Sequence, residues 1–68
     1  MSTSSTWTVT GMTCAHCEAS VREEIGELPG VESVTADHAS GAVVVTSAEP
    51  LDRSAVEAAV AEAGYELA

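Results

Sequence analysis

The chain has 68 residues, 46% of them hydrophobic but drawn mostly from Ala and Val, with Trp7 and Tyr65 the only aromatic residues. A domain this short buries only roughly 60% of its unfolded surface and can hardly wall off the ~300 Å³ of an enclosed pocket for a drug-sized ligand, so its chemistry belongs on the surface. Eleven Asp and Glu face only Arg22 and Arg53, a net charge of −9 without a single lysine, which disfavours nucleic acid and anionic membranes as partners and leaves solubility or docking to a basic surface.

No apolar stretch exceeds four consecutive residues, far from the ~20 that span a bilayer. Met1-Ser2-Thr3-Ser4-Ser5 has neither the basic nor the apolar part of an export signal, so the chain is expected to stay in the cytoplasm without inserting in a membrane. Residues 1 to 5 are Ser/Thr-rich and are expected to form a disordered tail, with 6 to 68 as one folded domain.

Thr6 to Thr10 alternates polar and apolar residues, the period of a half-buried strand with Trp7 and Val9 inward, and Gly11 breaks it. From Cys17 the apolar residues recur at Val21, Ile25 and Leu28, a helical stripe stopped by Pro29-Gly30. Glu18, Glu23, Glu24 and Glu27 lie off that stripe and are expected to face water, with Arg22 their only local counter-charge. Val31 to His38 and the Val-rich run Ala42 to Ser47, separated by Ala39-Ser40-Gly41, read as a β-hairpin. Asp52 then offers an N-cap, with Leu51 and Val56 placed as a hydrophobic staple. The second helix should bury Val56, Ala59, Val60 and Ala63, end at a left-handed Gly64, and leave Tyr65 to Ala68 for a closing strand. The order β-α-β-β-α-β is that of a ferredoxin-like α+β sandwich, a four-stranded antiparallel sheet with both helices on one face.

Cys14 and Cys17, the only cysteines, flank Ala15 and His16. Cys14 falls in the loop after the first strand and Cys17 in the first turn of the helix, where free N–H groups and the helix dipole favour the thiolate that binds metal. In a reducing cytosol the pair reads as a metal or redox site rather than a structural disulfide. Two thiolates without a third and fourth strong ligand suit an ion of low coordination, and soft sulfur selects Cu(I). Structural zinc takes four ligands, and of the two imidazoles, His16 and His38, the second lies at a strand end with no evident route to the loop. Thiol oxidoreductases also place Cys-x-x-Cys at a helix start; a thioredoxin-like domain needs a longer chain and a cis-proline loop, a context that neither Pro29 nor Pro50 provides. Cys17, on the apolar stripe, fits the reading of a small buried hydrophobe; Cys14, after the polar Thr13, fits it poorly.

Gly11-Met12-Thr13-Cys14-Ala15-His16-Cys17, with Gly64-Tyr65-Glu66 near the end, resembles the heavy-metal-associated domain, and the resemblance runs from Thr6 to Leu67. It implies one Cu(I), less often another soft ion, held by Cys14 and Cys17. It further implies that Met12 points into the core beneath the loop. His16 is similar to a residue of bacterial copper chaperones that acts beside the metal or adds a ligand in metal-bridged dimers. Tyr65 is similar to the aromatic residue near the loop in bacterial members, where eukaryotic chaperones carry a lysine. Met12, His16 and Tyr65 also have plain readings, as a core residue, a solvated loop residue and a strand-start residue.

The function implied is a cytosolic Cu(I) metallochaperone and not an enzyme. It would be monomeric without metal, able to form a copper-bridged dimer, and would deliver by ligand exchange to related domains of a P-type copper ATPase and to a copper-sensing repressor. Chaperones of this family that present lysines to an acidic partner are not matched in polarity, because this chain has none. Competing readings are an N-terminal metal-binding domain cut from such an ATPase, a mercury carrier, and a small thiol-disulfide oxidoreductase. The start at Met1 and the end just after the last strand favour a free-standing protein over the first of these.

Overall fold

In the computed structural model, which describes residues 2–68, the alternation expected from Thr6 begins three residues sooner. Strand β1 runs Thr3–Thr10, and Thr3, Ser4 and Ser5 pair with Ser47, Thr46 and Val45 of the neighbouring strand β3 (Ala42–Ser47). The disordered tail expected over residues 1 to 5 is thus corrected for Thr3 to Ser5, while Met1 lies outside the described residues. The reason is tertiary. A Ser/Thr run has little hydrophobic drive of its own, but a Val-rich partner strand offers a full ladder of backbone hydrogen bonds, and strand propensity yields to such context.

The other elements are helix α1 (Ala15–Gly26), β2 (Val31–Ala36), helix α2 (Arg53–Glu62) and β4 (Glu66–Leu67). The sheet order is β2-β3-β1-β4 with every neighbour antiparallel, the ferredoxin-like arrangement. Both helices cover one face, because Val21 and Ile25 of α1 and Val56, Ala59 and Val60 of α2 share one core with Val9, Ala36, Val43 and Val45 of the sheet. Val21, Ile25, Val43, Val45, Val56 and Val60 are fully enclosed. With so few large side chains, each matters: truncating Ile25 to Ala should cost about 2–5 kcal/mol, a large share of the ~5–15 kcal/mol that holds a small domain folded. Among the described residues no helix is long and apolar enough to cross a membrane.

Two helix ends matter for the site. Asp52 occupies the N-cap position of α2 but makes no side-chain cap bond. Its carbonyl instead takes the Ala55 and Val56 N–H groups, and the half-buried Leu51 packs on the core that encloses Val56. At the other end Gly64 adopts φ +93°, the Tyr65 N–H bonds the Val60 carbonyl at 3.0 Å and the Gly64 N–H bonds that of Ala61 at 3.0 Å. Those two bonds form a Schellman motif. It turns the chain sharply enough for Leu67 and Glu66 to pair with Val9 and Thr10, and it delivers Tyr65 beside the loop that follows β1.

Candidate metal site

The loop between β1 and α1 is fixed from below. Gly11 turns with φ +96°, and Met12, 7% exposed, is buried in the core cluster, the position that the family resemblance implies. Cys14 stands at the N-cap of α1 in extended conformation, and its side chain caps nothing. Its carbonyl accepts the Cys17 N–H at 3.0 Å and the Glu18 N–H at 3.3 Å, closing the first helical turn. The side chain of Cys14 is therefore free to point outward, and its sulfur lies 3.7 Å from that of Cys17. Cys14 is exposed, whereas Cys17 is half-buried against the core.

Cys17 is held well below an ordinary thiol, at about 6 instead of 9.0, chiefly by the Thr13 backbone N–H and then by the Tyr65 and Thr13 hydroxyls, against an opposing push from burial. Thr13 Oγ1 lies 3.7 Å from the sulfur. Tyr65 is pushed upward in return, first by its hydrogen bond to Cys17 and then by burial, which keeps its hydroxyl protonated and able to donate. Among the described residues no His, Asp or Glu places a third ligand atom within 4.8 Å of both sulfurs. His16 is exposed on the first turn of α1 and is not drawn to the pair.

The heavy-metal-associated domain family matches residues 6–66. The chain belongs to that family. A COP-associated protein of Helicobacter felis is 41% identical over 59 residues, covering 87% of this chain and 89% of that one. Copper-transporting ATPase 1 of Rhizobium meliloti is 36% identical over 59 residues, but there this heavy-metal-associated domain spans only 7% of the longer protein. Among solved structures, a CopZ metallochaperone superposes with a TM-score of 0.89 at 25% identity, covering 97% of this chain and 100% of its own.

One group beside the site of this heavy-metal-associated domain escaped the sequence reading. Glu18, expected to face water, is only 16% exposed in its side chain. Its Oε2 accepts the His38 backbone N–H at 2.7 Å and lies 2.6 Å from His38 Nδ1. The His38 N–H, followed by the ring, holds the Glu18 carboxyl below its ordinary range; a carboxylate can only accept, so Nδ1 carries the proton. His38, which has no evident route to the loop on sequence grounds, thus reaches the residue next to Cys17. Asp37 brings a carboxylate oxygen within 4.8 Å of this pair. The contact joins positions 20 apart, and no local period reports it. Glu24 is the second correction: it is half-buried, and burial first, then Glu27, Glu62 and Glu23, raise its carboxyl above the usual value. Glu23 and Glu27 are exposed as expected.

Proposed function

We propose that this domain carries one Cu(I) between Cys14 and Cys17 in the cytoplasm and passes it by ligand exchange to a related domain of a P-type copper ATPase. The observation that carries the reading is the pair of sulfurs 3.7 Å apart at an open helix N-terminus, with no His, Asp or Glu among the described residues adding a third ligand atom beside them. Taking the ~2.3 Å of a zinc–thiolate bond as a guide, two soft metal–sulfur bonds span at most ~4.6 Å, so both thiolates reach one ion with little movement. Two soft thiolates favour Cu(I) over harder ions. An acceptor thiolate can then bond the ion on its open side, after which one bond to Cys14 or Cys17 breaks and the ion moves on.

The exposed Cys14 is the natural first bond to break, since Cys17 is the better shielded of the two. Free thiols of this kind persist in a reducing compartment, which supports the cytoplasm. The likeness to part of a copper-transporting ATPase supports an acceptor built on the same fold, and a copper-sensing repressor is a further candidate acceptor. The domain acts as a carrier and not as an enzyme.

The test is titration of the reduced protein with Cu(I) against a strong competing chelator, alongside Cys14→Ser and Cys17→Ser. One ion per chain should bind, and each substitution should abolish tight binding. The circular dichroism of Cys14→Ser should be unchanged, because surface replacements typically stay within about 0.5 kcal/mol. Equal affinity in all three proteins would remove the reading. Turnover in an insulin-reduction assay would favour a thiol oxidoreductase instead.

A further inference from the structure

The loop that carries Cys14 and Cys17 hangs from two stems, the end of β1 and the first turn of α1, and both stems are tied to one turn elsewhere in the chain. On the β1 side, the Val9 N–H donates to the Gly41 carbonyl at 2.8 Å. The approach is so close that a β-carbon on Gly41 would sit 2.7 Å from the Val9 oxygen, at a residue with φ +79°. On the α1 side, Glu18 takes both the backbone N–H and the ring of His38 at 2.7 and 2.6 Å.

The connecting turn is itself cross-bonded. The Gly41 N–H reaches the Asp37 carbonyl at 2.8 Å and the Asp37 N–H reaches that of Ala42 at 2.9 Å, while Asp37 Oδ1 accepts the Ala39 N–H at 2.9 Å. Such a turn does not stretch easily.

We infer that the β2–β3 turn, residues 37–41, braces both stems of the cysteine loop, and that Glu18 and His38 are positioning residues that set the two sulfurs before any ion arrives. Glu18 follows Cys17 directly, and its own N–H closes the helical turn on the Cys14 carbonyl. Releasing the carboxylate frees the one turn of helix that carries half the site. A preset pair holds its ion longer, because the cost of ordering the ligands has been met during folding. The bracing stands on geometry alone, and only its consequence for copper rests on the proposed function.

Two measurements keep those apart. The first needs no metal: amide hydrogen exchange at Cys17 and Glu18, and the rate at which phenylarsine oxide bridges the two thiols, in the wild type, Glu18→Ala, Glu18→Gln, His38→Ala and the control Glu23→Ala. The second is the rate of Cu(I) release to a chelator from the same proteins. Glu18→Ala should speed exchange at both amides and speed copper release about tenfold, the lower end of what loss of a ligand-orienting partner costs. Glu18→Gln keeps an acceptor for the His38 N–H and should restore most of the protection. His38→Ala removes only the ring contact and should lie between. Glu23→Ala removes the same charge from the same helix without touching the turn, and should stay within about twofold, as surface changes do. If Glu18→Ala and Glu23→Ala behave alike in amide exchange and copper release, the brace is overturned. Should Glu18→Ala fail to fold, wild-type protection and wild-type copper release in His38→Ala overturn it equally. Faster exchange in Glu18→Ala together with no copper binding in the wild type would uphold the brace and refute the copper reading.

Discussion

The ring of Tyr65 lies with Cδ1 3.2 Å from the point where a β-carbon on Gly11 would stand. The residue just past α2 and the residue that opens the cysteine loop are therefore in contact, and the contact aims the phenol at Cys17, whose thiol it helps to lower. Tyr65→Phe should raise the Cys17 pKa above about 6. Gly11→Ala should do the same indirectly, by pushing the ring aside at a position with φ +96°. The pH profile of alkylation of Cys17 in a Cys14→Ser background reports the midpoint; an unmoved midpoint in Tyr65→Phe would show that the hydroxyl contributes nothing. For the wild type, protons compete with metal at Cys17 only below about 6, so apparent Cu(I) affinity should gain a further loss of about tenfold per pH unit there. The metal-free fold follows the same sign: a depressed thiol stabilises it above the ordinary thiol pKa, and that contribution disappears as pH falls through about 6.

Glu24 runs the other way. Its carboxyl is raised by burial and by Glu27, Glu62 and Glu23, so the folded state disfavours the carboxylate and loses stability as pH rises through the shifted value. Glu24→Gln removes the charge while keeping the shape. Its urea midpoint should exceed that of the wild type at neutral pH and match it in acid, where both side chains are neutral. A lower midpoint for Glu24→Gln at neutral pH would mean that the carboxylate makes a favourable contact instead.

Much of this was legible because the signals are local. The stripe from Cys17 to Leu28, the Val-rich strand, and the Gly64 stop each follow from spacing within one element, and together they impose the element order. The two cysteines fall where the strand–loop–helix reading puts them. What was not legible depends on neighbours far along the chain. Thr3 to Ser5 become strand only because β3 lies alongside. Glu18 leaves the water only because His38 arrives from 20 residues away. Glu24 is crowded by Glu62 of the other helix. Tyr65 was placed near the loop by resemblance alone, and the physical cause is the Schellman turn at Gly64.

His16 is exposed and does not gather with the two sulfurs, which leaves its ring open toward a second molecule. With excess Cu(I), the open side of the two-sulfur site should accept a sulfur from another copy, giving a metal-bridged dimer in which His16 supplies an added donor. His16→Ala should weaken that dimer about tenfold, of the order expected for a removed group near a metal, and leave the monomer's affinity for copper nearly unchanged. Sedimentation at increasing copper loading measures both. Monomer at every loading would exclude the bridged dimer and the His16 role with it.

Delivery should depend on acids near the loop and not on the net charge of −9 as a whole. Steering by exposed charge fades over a Debye length, ~8 Å at physiological salt, while β1 alone spans roughly 23 Å at the usual rise per residue. Glu66 is exposed and pairs with Thr10 at the loop end of the sheet. Glu23 is exposed on α1, roughly 9 Å along the helix from Cys17 at its usual rise. Glu32 and Glu49 belong to the far end: Ser2 bonds Glu32, and Glu49 follows Ser47, which pairs with Thr3. Reversing Glu23 and Glu66 to Lys should slow copper transfer to a basic acceptor domain severalfold at low salt, as expected when a steering charge changes sign, whereas the same reversals at Glu32 and Glu49 should do little. Several hundred millimolar salt should slow the wild type toward the rate of the first variant, and leave the second variant tracking the wild type, with metal affinity unchanged throughout. Transfer rates indifferent to salt and to both pairs of reversals would leave the acidic surface with solubility as its only role.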